Sequence, residues 1–184
     1  MIAVMSKPFL SLLADIPGAT RSLAAGALLF QRNDPVRRVH LVLSGQVHLM
    51  RRQADGAAFL LQRAGPGDLV AEASLLSDCY HCDAECVTDS TLKSWPLAAV
   101  RSLIRADRHA ALAYAAHLAQ GLRAARLKAE ITSLKRVEDR LDAWLAWHGG
   151  TLPRKGGWHH LAGEINVTPE ALYREIARRR KTTG

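Results

Sequence analysis

The sequence predicts an α+β protein in three parts: an antiparallel β-roll, a long helix and a C-terminal helix-turn-helix. Short β runs separated by turn residues fill the first half of the chain, whereas an Ala-, Leu- and Arg-rich stretch follows Trp95-Pro96. A basic pair of helices near the end completes the pattern. We therefore expect domains at residues 1–106, 107–135 and 136–184.

The first part is predicted to begin with a helix and to continue as short strands. Residues 6–16 have apolar side chains at helical spacing, and residues 24–95 alternate between apolar runs and turn residues. One strand is predicted where two sets of residues alternate, Val39, Leu41 and Leu43 with His40, Val42 and Ser44. Many short strands at regular spacing are typical of a small β-sandwich, barrel or roll.

The middle part is predicted to be a single helix. Between about Asp107 and Lys135 only Gly121 interrupts the helical pattern, and such a helix would run about 40 Å. Four residues recur at alternating spacings of three and four, the seam of a coiled coil: Leu112, Ala115, Ala119 and Leu122. We expect a homodimer joined along this seam; the alternative is burial of the helix against its own β domain.

The C-terminal part has the pattern of two short helices joined by a tight turn. Asn166 suits the left-handed backbone of a sharp turn, Thr168 is a good N-cap and Pro169 suits the first helical position. The predicted apolar seam consists of Leu161, Ile165, Val167, Leu172 and Ile176. The outward face consists of Glu170, Tyr173, Arg174 and Arg178. This is a helix-turn-helix, whose second helix enters the major groove of double-stranded DNA; the alternative is a helical hairpin with a solvated basic face.

The positive charge is concentrated in the same half of the chain. The net charge is +8, and residues 107–184 carry 14 Lys and Arg against 8 Asp and Glu, which is +6 of that total. A basic half suits contact with nucleic-acid phosphates, although charge alone would also suit a membrane surface.

Other classes of protein are disfavoured. Three closely spaced cysteines are too few for a disulfide framework, the N-terminus lacks a secretory layout, and no apolar run is long enough to span a membrane. We therefore expect a cytoplasmic protein. No nucleophile elbow, phosphate-binding loop or paired-carboxylate arrangement is found, so an enzyme is not predicted.

Three local motifs, in order, carry a resemblance to a known family. Residues 41–49, with Gly45 between two strand patterns, resemble a strand-Gly-strand signature, residues 66–72 resemble the entry to an effector pocket, and residues 161–174 resemble a DNA reader. Together they resemble the Crp/Fnr family of bacterial transcription regulators. The resemblance implies a β-roll of the cyclic-nucleotide-binding jelly-roll type, a homodimer that binds an inverted DNA repeat, and RNA polymerase as a candidate further partner.

The effector pocket departs from the family's cyclic-nucleotide-binding members. Those members have a Gly-Glu pair followed about ten residues later by Arg-Ser, and the Arg pairs with the phosphate. Here the pair is Ala71-Glu72, and the later positions are Cys82 and Asp83. An anion at that place would repel a phosphodiester, so we do not expect cAMP to bind in the usual mode. The expected effector-binding residues are Glu72, Cys82 and Asp83.

The cysteines suggest a second chemistry for the same region. A candidate metal or redox site is formed by Cys79, His81, Cys82 and Cys86. Haem, with His81 or a cysteine as axial ligand, is a further candidate, and the cofactor is not identified by the sequence. The alternative is that the cysteines fill the β core as small apolar residues. The alternative function is an effector-binding or metal- or redox-sensing regulatory protein that acts through protein contacts, with weak or lost DNA binding.

The recognition helix also departs from the family pattern, which begins with Arg-Glu and has another Arg four residues on. Glu170 and Arg174 keep the second and third places, but Pro169 replaces the first Arg, so one guanine contact should be missing. The expected DNA-contacting residues are Thr168, Pro169, Glu170, Tyr173, Arg174 and Arg178. Relatives continue into a β-hairpin wing, whereas this sequence stops three residues after Lys181, so the wing is either naturally absent or cut off from a longer chain.

Overall fold

The computed structural model describes residues 7–53 and 58–182. Its contacts separate into two compact units, one ending at Leu118 and the other beginning at Ala119, within the long helix. The three domains predicted from the sequence stay a prediction. Among the described residues, no helix is both long enough and apolar enough to cross a membrane.

The first unit is an antiparallel β-roll flanked by helices. It contains α1 (Lys7–Ala14), α2 (Leu97–Ala106) and the start of α3 (Arg108–Ser133). Its strands are β1 (Ala19–Leu23), β2 (Leu28–Phe30), β3 (Arg38–Ser44), β4 (Val47–Arg52), β5 (Ala58–Ala64), β6 (Leu69–Val70), β7 (Asp83–Cys86) and β8 (Ser90–Pro96). They form two antiparallel sheets, in the orders β1-β8-β3-β6 and β2-β7-β4-β5. The predicted β-roll is confirmed.

Helix α1 closes one part of the β-roll core. Phe9 and Leu13, four residues apart, are both fully buried, as a helix with one apolar face requires. The Phe9 ring packs against Tyr114 of α3, with ring centroids 5.2 Å apart. The helix predicted over residues 6–16 is therefore present but ends at Ala14, and Ser6 lies outside the described residues.

The alternation predicted for β3 is wrong, because His40 is buried beside Val39 and Leu41 is only partly buried. Val42 is fully buried and Leu43 is 44% exposed, so Val39, Leu41 and Leu43 do not form one inward face. The register with β8 shifts at this point, since Val42 pairs with Leu92 and Ser44 with Thr91. Leu43 is the unpaired residue at this shift, and its side chain lies on the face opposite to the buried His40 and Val42.

Gly45 makes the turn between β3 and β4. Its φ is +85°, and a Cβ atom at this position would collide with Ser90 Oγ and the Asp89 carbonyl. Both the backbone conformation and the close approach therefore require glycine, which explains the strand-Gly-strand pattern.

The second unit is helical. After the end of α3 it contains α4 (Val137–Trp147), a 3-10 turn (Lys155–Gly157), α5 (Trp158–Glu164) and α6 (Pro169–Thr182). Its buried core consists of Ile131, Leu141, Trp144, Trp158, Leu161, Ala162, Ile165, Leu172 and Ile176. Four of the five predicted seam residues are in this core and the fifth, Val167, packs against it. The apolar pattern of the C-terminal sequence is thus confirmed.

Candidate functional site

The β-roll encloses a cavity of about 90 Å³. Its wall includes the segment between β6 and β7 and parts of β4 and β5. The lining residues are Phe30, Leu49, Leu61, Gln62, Ala71, Glu72, Ala73, Ser74, His81 and Cys82. Two of the three predicted effector-binding residues, Glu72 and Cys82, are therefore brought together at one cavity.

Glu72 enters the cavity wall through an unusual backbone turn. It begins a 3-10 turn (Glu72–Ser74), and the preceding Ala71 has a left-handed φ of 74°. Alanine rarely adopts this conformation, because its Cβ approaches the following carbonyl. Ala71 is also buried, so the surrounding packing holds the strained turn that places Glu72 in the wall.

The Glu72 carboxyl is buried without a hydrogen-bond partner for Oε2. Burial raises the pKa of this carboxyl to about 7, its own backbone N–H opposes the rise, and the negative charge of Asp68 adds to it. Near neutral pH the group is therefore present in both protonation states. A protonated carboxyl can donate as well as accept a hydrogen bond, so Glu72 offers either role to a ligand.

The side chains of Cys82 and Asp83 lie in different surroundings. Cys82 is buried in the cavity wall, and burial, followed by the charge of Asp83, raises the pKa of its thiol to about 11. The Asp83 carboxylate accepts the backbone N–H of Arg32 over 2.8 Å and lies 3.6 Å from Arg52 Nε. Asp83 is not among the cavity-lining residues.

The described residues of the cavity wall carry no fixed positive charge. None of the described residues that line it is a lysine or an arginine, and Cys82 is a neutral thiol at physiological pH. A desolvated phosphodiester anion needs a cationic donor. The wall is suited to a neutral hydrogen-bonding group instead.

The four candidate metal ligands do not converge. Cys79 is exposed, whereas Cys82 and Cys86 are buried as free thiols, and burial raises the pKa of Cys86 as well. His81 Nδ1 lies 3.1 Å from Ser74 Oγ. Within the described parts of the chain, no three His, Cys, Asp or Glu side chains form a group that could hold a metal ion. In this arrangement Cys82 and Cys86 act as apolar filling.

Tyr114 of α3 contacts the cavity segment, a contact that sequence reasoning missed. Its hydroxyl donates a hydrogen bond to the Glu72 backbone carbonyl over 3.0 Å. Ala110 and Tyr114 are buried, while Ala113 and Leu118 are partly buried against the β-roll core. The sequence feature that could have indicated this contact is a single tyrosine among the alanines and leucines of the long helix.

The predicted coiled-coil seam lies on another face of α3. Leu112 is 60% exposed and Leu122 is 52% exposed, and Ala115 and Ala119 are exposed as well. Burial against the β domain and an outward apolar stripe therefore occur together, on different faces of one helix.

The turn between α5 and α6 has the predicted local structure. Asn166 has a left-handed φ of 53°, Thr168 Oγ1 accepts the backbone N–H of Ala171 over 3.2 Å, and α6 begins at Pro169. These contacts fix the start of α6 and the direction of its first turn.

The outward face of α6 contains three of the predicted DNA-contacting side chains. Glu170, Tyr173 and Arg174 are exposed. The Tyr173 ring packs against the Trp158 ring, with centroids 5.7 Å apart. The Arg180 guanidinium lies 5.2 Å from the centre of the Trp158 ring. Trp158 of α5 therefore contacts two side chains of α6, those of Tyr173 and Arg180.

Arg178, another predicted DNA contact, takes part in an ion-pair group between α4 and α6. The Glu175 carboxylate accepts hydrogen bonds from Arg178 and Arg179, which also contact Glu138 and Asp142 of α4. Arg178 and then Arg179 lower the pKa of Glu175 to about 2, against the opposing effect of burial. Glu175 therefore remains ionised at neutral pH, and we call these five side chains the α4–α6 ion-pair group.

Residues 20–107 match the cyclic nucleotide-binding domain family. The first unit is therefore similar, in sequence and in fold, to cyclic nucleotide-binding domains. Among proteins with curated descriptions, none matches the sequence closely enough to count as a relative.

Two solved structures extend the similarity to more than nine-tenths of the chain. FixK2 from Bradyrhizobium japonicum matches with a TM-score of 0.68 and 16% sequence identity, covering 91% of this chain and 87% of FixK2. The c-di-GMP responsive global regulator CLP from Xanthomonas campestris matches with a TM-score of 0.59 and 20% identity, covering 95% and 92%. The sensor domain of the transcriptional regulator DNR from Pseudomonas aeruginosa matches with a TM-score of 0.53 and 24% identity, covering 68% and 81%. The chain has the fold of Crp/Fnr-type transcription regulators, and the predicted resemblance is confirmed.

Proposed function

We propose that the protein is a homodimeric transcription regulator that binds DNA sequence-specifically through α5 and α6 as a helix-turn-helix. The observation that carries this proposal is the two-sided character of α6. Leu172 and Ile176 are buried, while Glu170, Tyr173 and Arg174 are exposed on the other side. A recognition helix presents such a polar face to the major groove.

Base readout would come from the first two turns of α6. Arg174 can donate two hydrogen bonds to guanine O6 and N7, and Glu170 can accept from cytosine N4. Pro169 has no donor, so one base contact fewer is expected than with an arginine at that position. Thr168 and Tyr173 would contact the DNA backbone, which positions the protein without specifying sequence.

Dimerisation would use the exposed stripe of α3 that contains Leu112, Ala115, Ala119 and Leu122. Small residues on this stripe allow two helices to approach closely, and an exposed apolar stripe of this length is otherwise a liability in water. A two-fold dimer would present its recognition helices to successive major grooves, about 34 Å apart. The preferred DNA site is therefore an inverted repeat.

The cavity beside Glu72 would be the effector site. Because none of the described residues in its wall is a lysine or an arginine, we propose a small hydrogen-bonding effector rather than a phosphodiester held at Cys82. Glu72 would bind the effector through its carboxyl, and Tyr114 would transmit the change to α3 through the Glu72 carbonyl.

DNA binding is tested by selecting tight-binding duplexes from a randomised library with the full chain. Selected duplexes should contain an inverted repeat and should shift in gel mobility at low ionic strength, with binding that weakens as salt is added. If no duplex binds in a salt-sensitive manner, the DNA-binding proposal fails. A dimer without DNA binding would favour a regulator that acts through protein contacts.

Dimerisation is tested by sedimentation of the full chain and of Ala119→Glu. The parent should sediment as a dimer of the 20.1 kDa chain, and a buried glutamate in the seam should dissociate it. Ala98→Glu, an exposed change on α2, is the matched control and should remain dimeric. If the parent protein sediments as a monomer, the proposed dimerisation along α3 is wrong.

A further inference from the structure

Arg140 joins two separate segments of the second unit. It is the fourth residue of α4, and its side chain is partly buried. Its three nitrogen atoms donate four hydrogen bonds, all to backbone carbonyls. Because the acceptors are backbone atoms, these bonds fix the course of the chain on either side of the guanidinium.

Two of the acceptors lie at the end of α3. Arg140 Nε donates to the Leu134 carbonyl over 2.8 Å, and Nη2 donates to the Thr132 carbonyl over 3.2 Å. Since α3 ends at Ser133, these carbonyls belong to the helix end, where acceptors lose their partners within the helix. A positive charge is also favourable at a helix C-terminus. Arg140 therefore caps the long helix.

The other two acceptors lie in the turn before α6. Arg140 Nη1 donates to the Ile165 carbonyl over 3.2 Å and to the Asn166 carbonyl over 2.6 Å. Asn166 is the left-handed residue of that turn, and α6 begins three residues later, at Pro169. The same planar group thus holds the end of one helix and the approach to another.

The remaining polar contacts of α4 reinforce this connection. Trp144 Nε1 donates to Glu164 Oε2 at the end of α5 over 2.7 Å, and the α4–α6 ion-pair group joins α4 to the body of α6. Helix α4 is therefore fixed to α5, to the turn and to α6. Arg140 extends this fixed set to the end of α3.

We propose that Arg140 is a positioning residue that fixes the direction of α6 relative to the C-terminal end of α3. Arginine suits this role because its donors form a rigid fork, whereas a lysine ammonium is a single point donor on a flexible stem. The consequence rests on the proposed function: in a dimer joined along α3, the direction of α6 sets the separation of the two recognition helices. Arg140 therefore determines which spacer between DNA half-sites is accepted.

The first test needs no DNA. Spin labels are attached at Ala125→Cys on α3 and Ala177→Cys on α6, two exposed positions, with the exposed Cys79 changed to serine. Excess unlabelled protein keeps the measured label-to-label distance within one protomer. We expect a narrow distance distribution in this parent and one about twice as broad in Arg140→Lys, which keeps the charge but lacks the fork.

Two further variants protect this test against a general loss of folding. Arg140→Gln retains a donor for one of the two segments and should also broaden the distribution. Arg105→Ala removes an exposed charge on α2 and should leave the distribution narrow. Thermal unfolding identifies any variant that is not folded at the measuring temperature. Equal widths in the parent and in folded Arg140→Lys would overturn the proposal.

The second test measures spacer preference on a duplex selected with the parent protein. Spacers one base pair longer and one shorter should bind the parent about tenfold more weakly, within the usual range of coupling between sites. Arg140→Lys should bind all three spacers within about twofold of one another, because the recognition helices are less fixed. A purely structural role would weaken all three equally, and that result would overturn the proposal.

The two tests separate this inference from the proposed function. If the parent binds no duplex, the proposed function fails, and the spin-label distances still decide whether Arg140 positions α6. If the parent binds DNA with a spacer preference that Arg140→Lys keeps, only the positioning role fails.

Discussion

The Tyr114 hydroxyl donates a hydrogen bond to the backbone carbonyl of Glu72 over 3.0 Å. This bond joins the long helix α3 to the strained turn that places Glu72 in the wall of the cavity. Within the first unit, the segment that lines the cavity is therefore bonded to the helix that carries the proposed dimer seam.

Tyr114→Phe should lower the free energy of unfolding by about 1 kcal/mol. The Glu72 carbonyl loses the hydrogen bond from Tyr114 and keeps the one from the Leu75 backbone N–H, while the ring and its packing against Phe9 are kept. A net hydrogen bond is worth about that much. Urea unfolding followed by tryptophan fluorescence measures the change. Tyr173→Phe, at an exposed position, should change the stability by less than about 0.5 kcal/mol; equal losses in the two variants would contradict the role of the bond.

Ala71→Val should lower the free energy of unfolding by about 2 kcal/mol. A β-branched residue is strongly disfavoured in the left-handed conformation that Ala71 adopts, and the buried position leaves little room for relaxation. Ala73→Val, two residues on in the same turn, is the matched control because Ala73 is exposed and is not in the left-handed conformation. Similar stabilities for the two valine variants would show that the turn is not strained.

The stability of the protein should fall as pH rises because of Glu72. The folded-state pKa of this carboxyl is about 7, against an ordinary value of 4.5. Below the ordinary value the group is protonated in both the folded and the unfolded chain. Between the two values the unfolded chain releases its proton and the folded chain keeps it, so the free energy of unfolding decreases by up to about 1.4 kcal/mol per pH unit.

Glu72→Gln should remove this pH dependence. The variant should gain stability relative to the parent as pH is raised from about 5 to about 8, measured by urea unfolding at each pH. Glu170→Gln, an exposed glutamate changed in the same way, should follow the parent. Parallel curves for the parent and Glu72→Gln would mean that the pKa of the Glu72 carboxyl is not raised.

Arg174→Ala should relax base preference at one position of each half-site. Loss of a two-hydrogen-bond contact to guanine costs about 1–3 kcal/mol of discrimination, whereas loss of a phosphate contact weakens all sequences alike. Binding to a duplex series with single-base changes distinguishes the two. Arg154→Ala, at an exposed loop position, is the control for charge. Uniform weakening by Arg174→Ala would place this side chain on the DNA backbone.

Local sequence rules predicted the start of α6 correctly. The left-handed Asn166, the Thr168 cap and Pro169 at the first helical position each depend on residues within one turn of the chain. The apolar seam of α5 and α6 could also be predicted from the sequence, because helical spacing decides which face of each helix is buried.

Features that depend on distant segments could not be predicted. In β3 both Val39 and His40 are buried because other segments cover both faces of the strand, and nothing within β3 indicates that cover or the register shift at Leu43. Asp83 lies outside the cavity lining because its carboxylate is held by the backbone N–H of Arg32, far away in sequence. The four acceptors of Arg140 likewise come from two segments that only the folded chain brings together.

The α4–α6 ion-pair group limits how many positive charges α6 can offer to a polyanion. Arg178 and Arg179 already lie against Glu138, Asp142 and Glu175, so their charges are compensated within the protein. Each phosphate contact releases counterions and steepens the logarithmic salt dependence of duplex binding by about 0.9. The affinity for duplex DNA should therefore depend less steeply on salt concentration than it would if every basic residue of α6 contacted a phosphate.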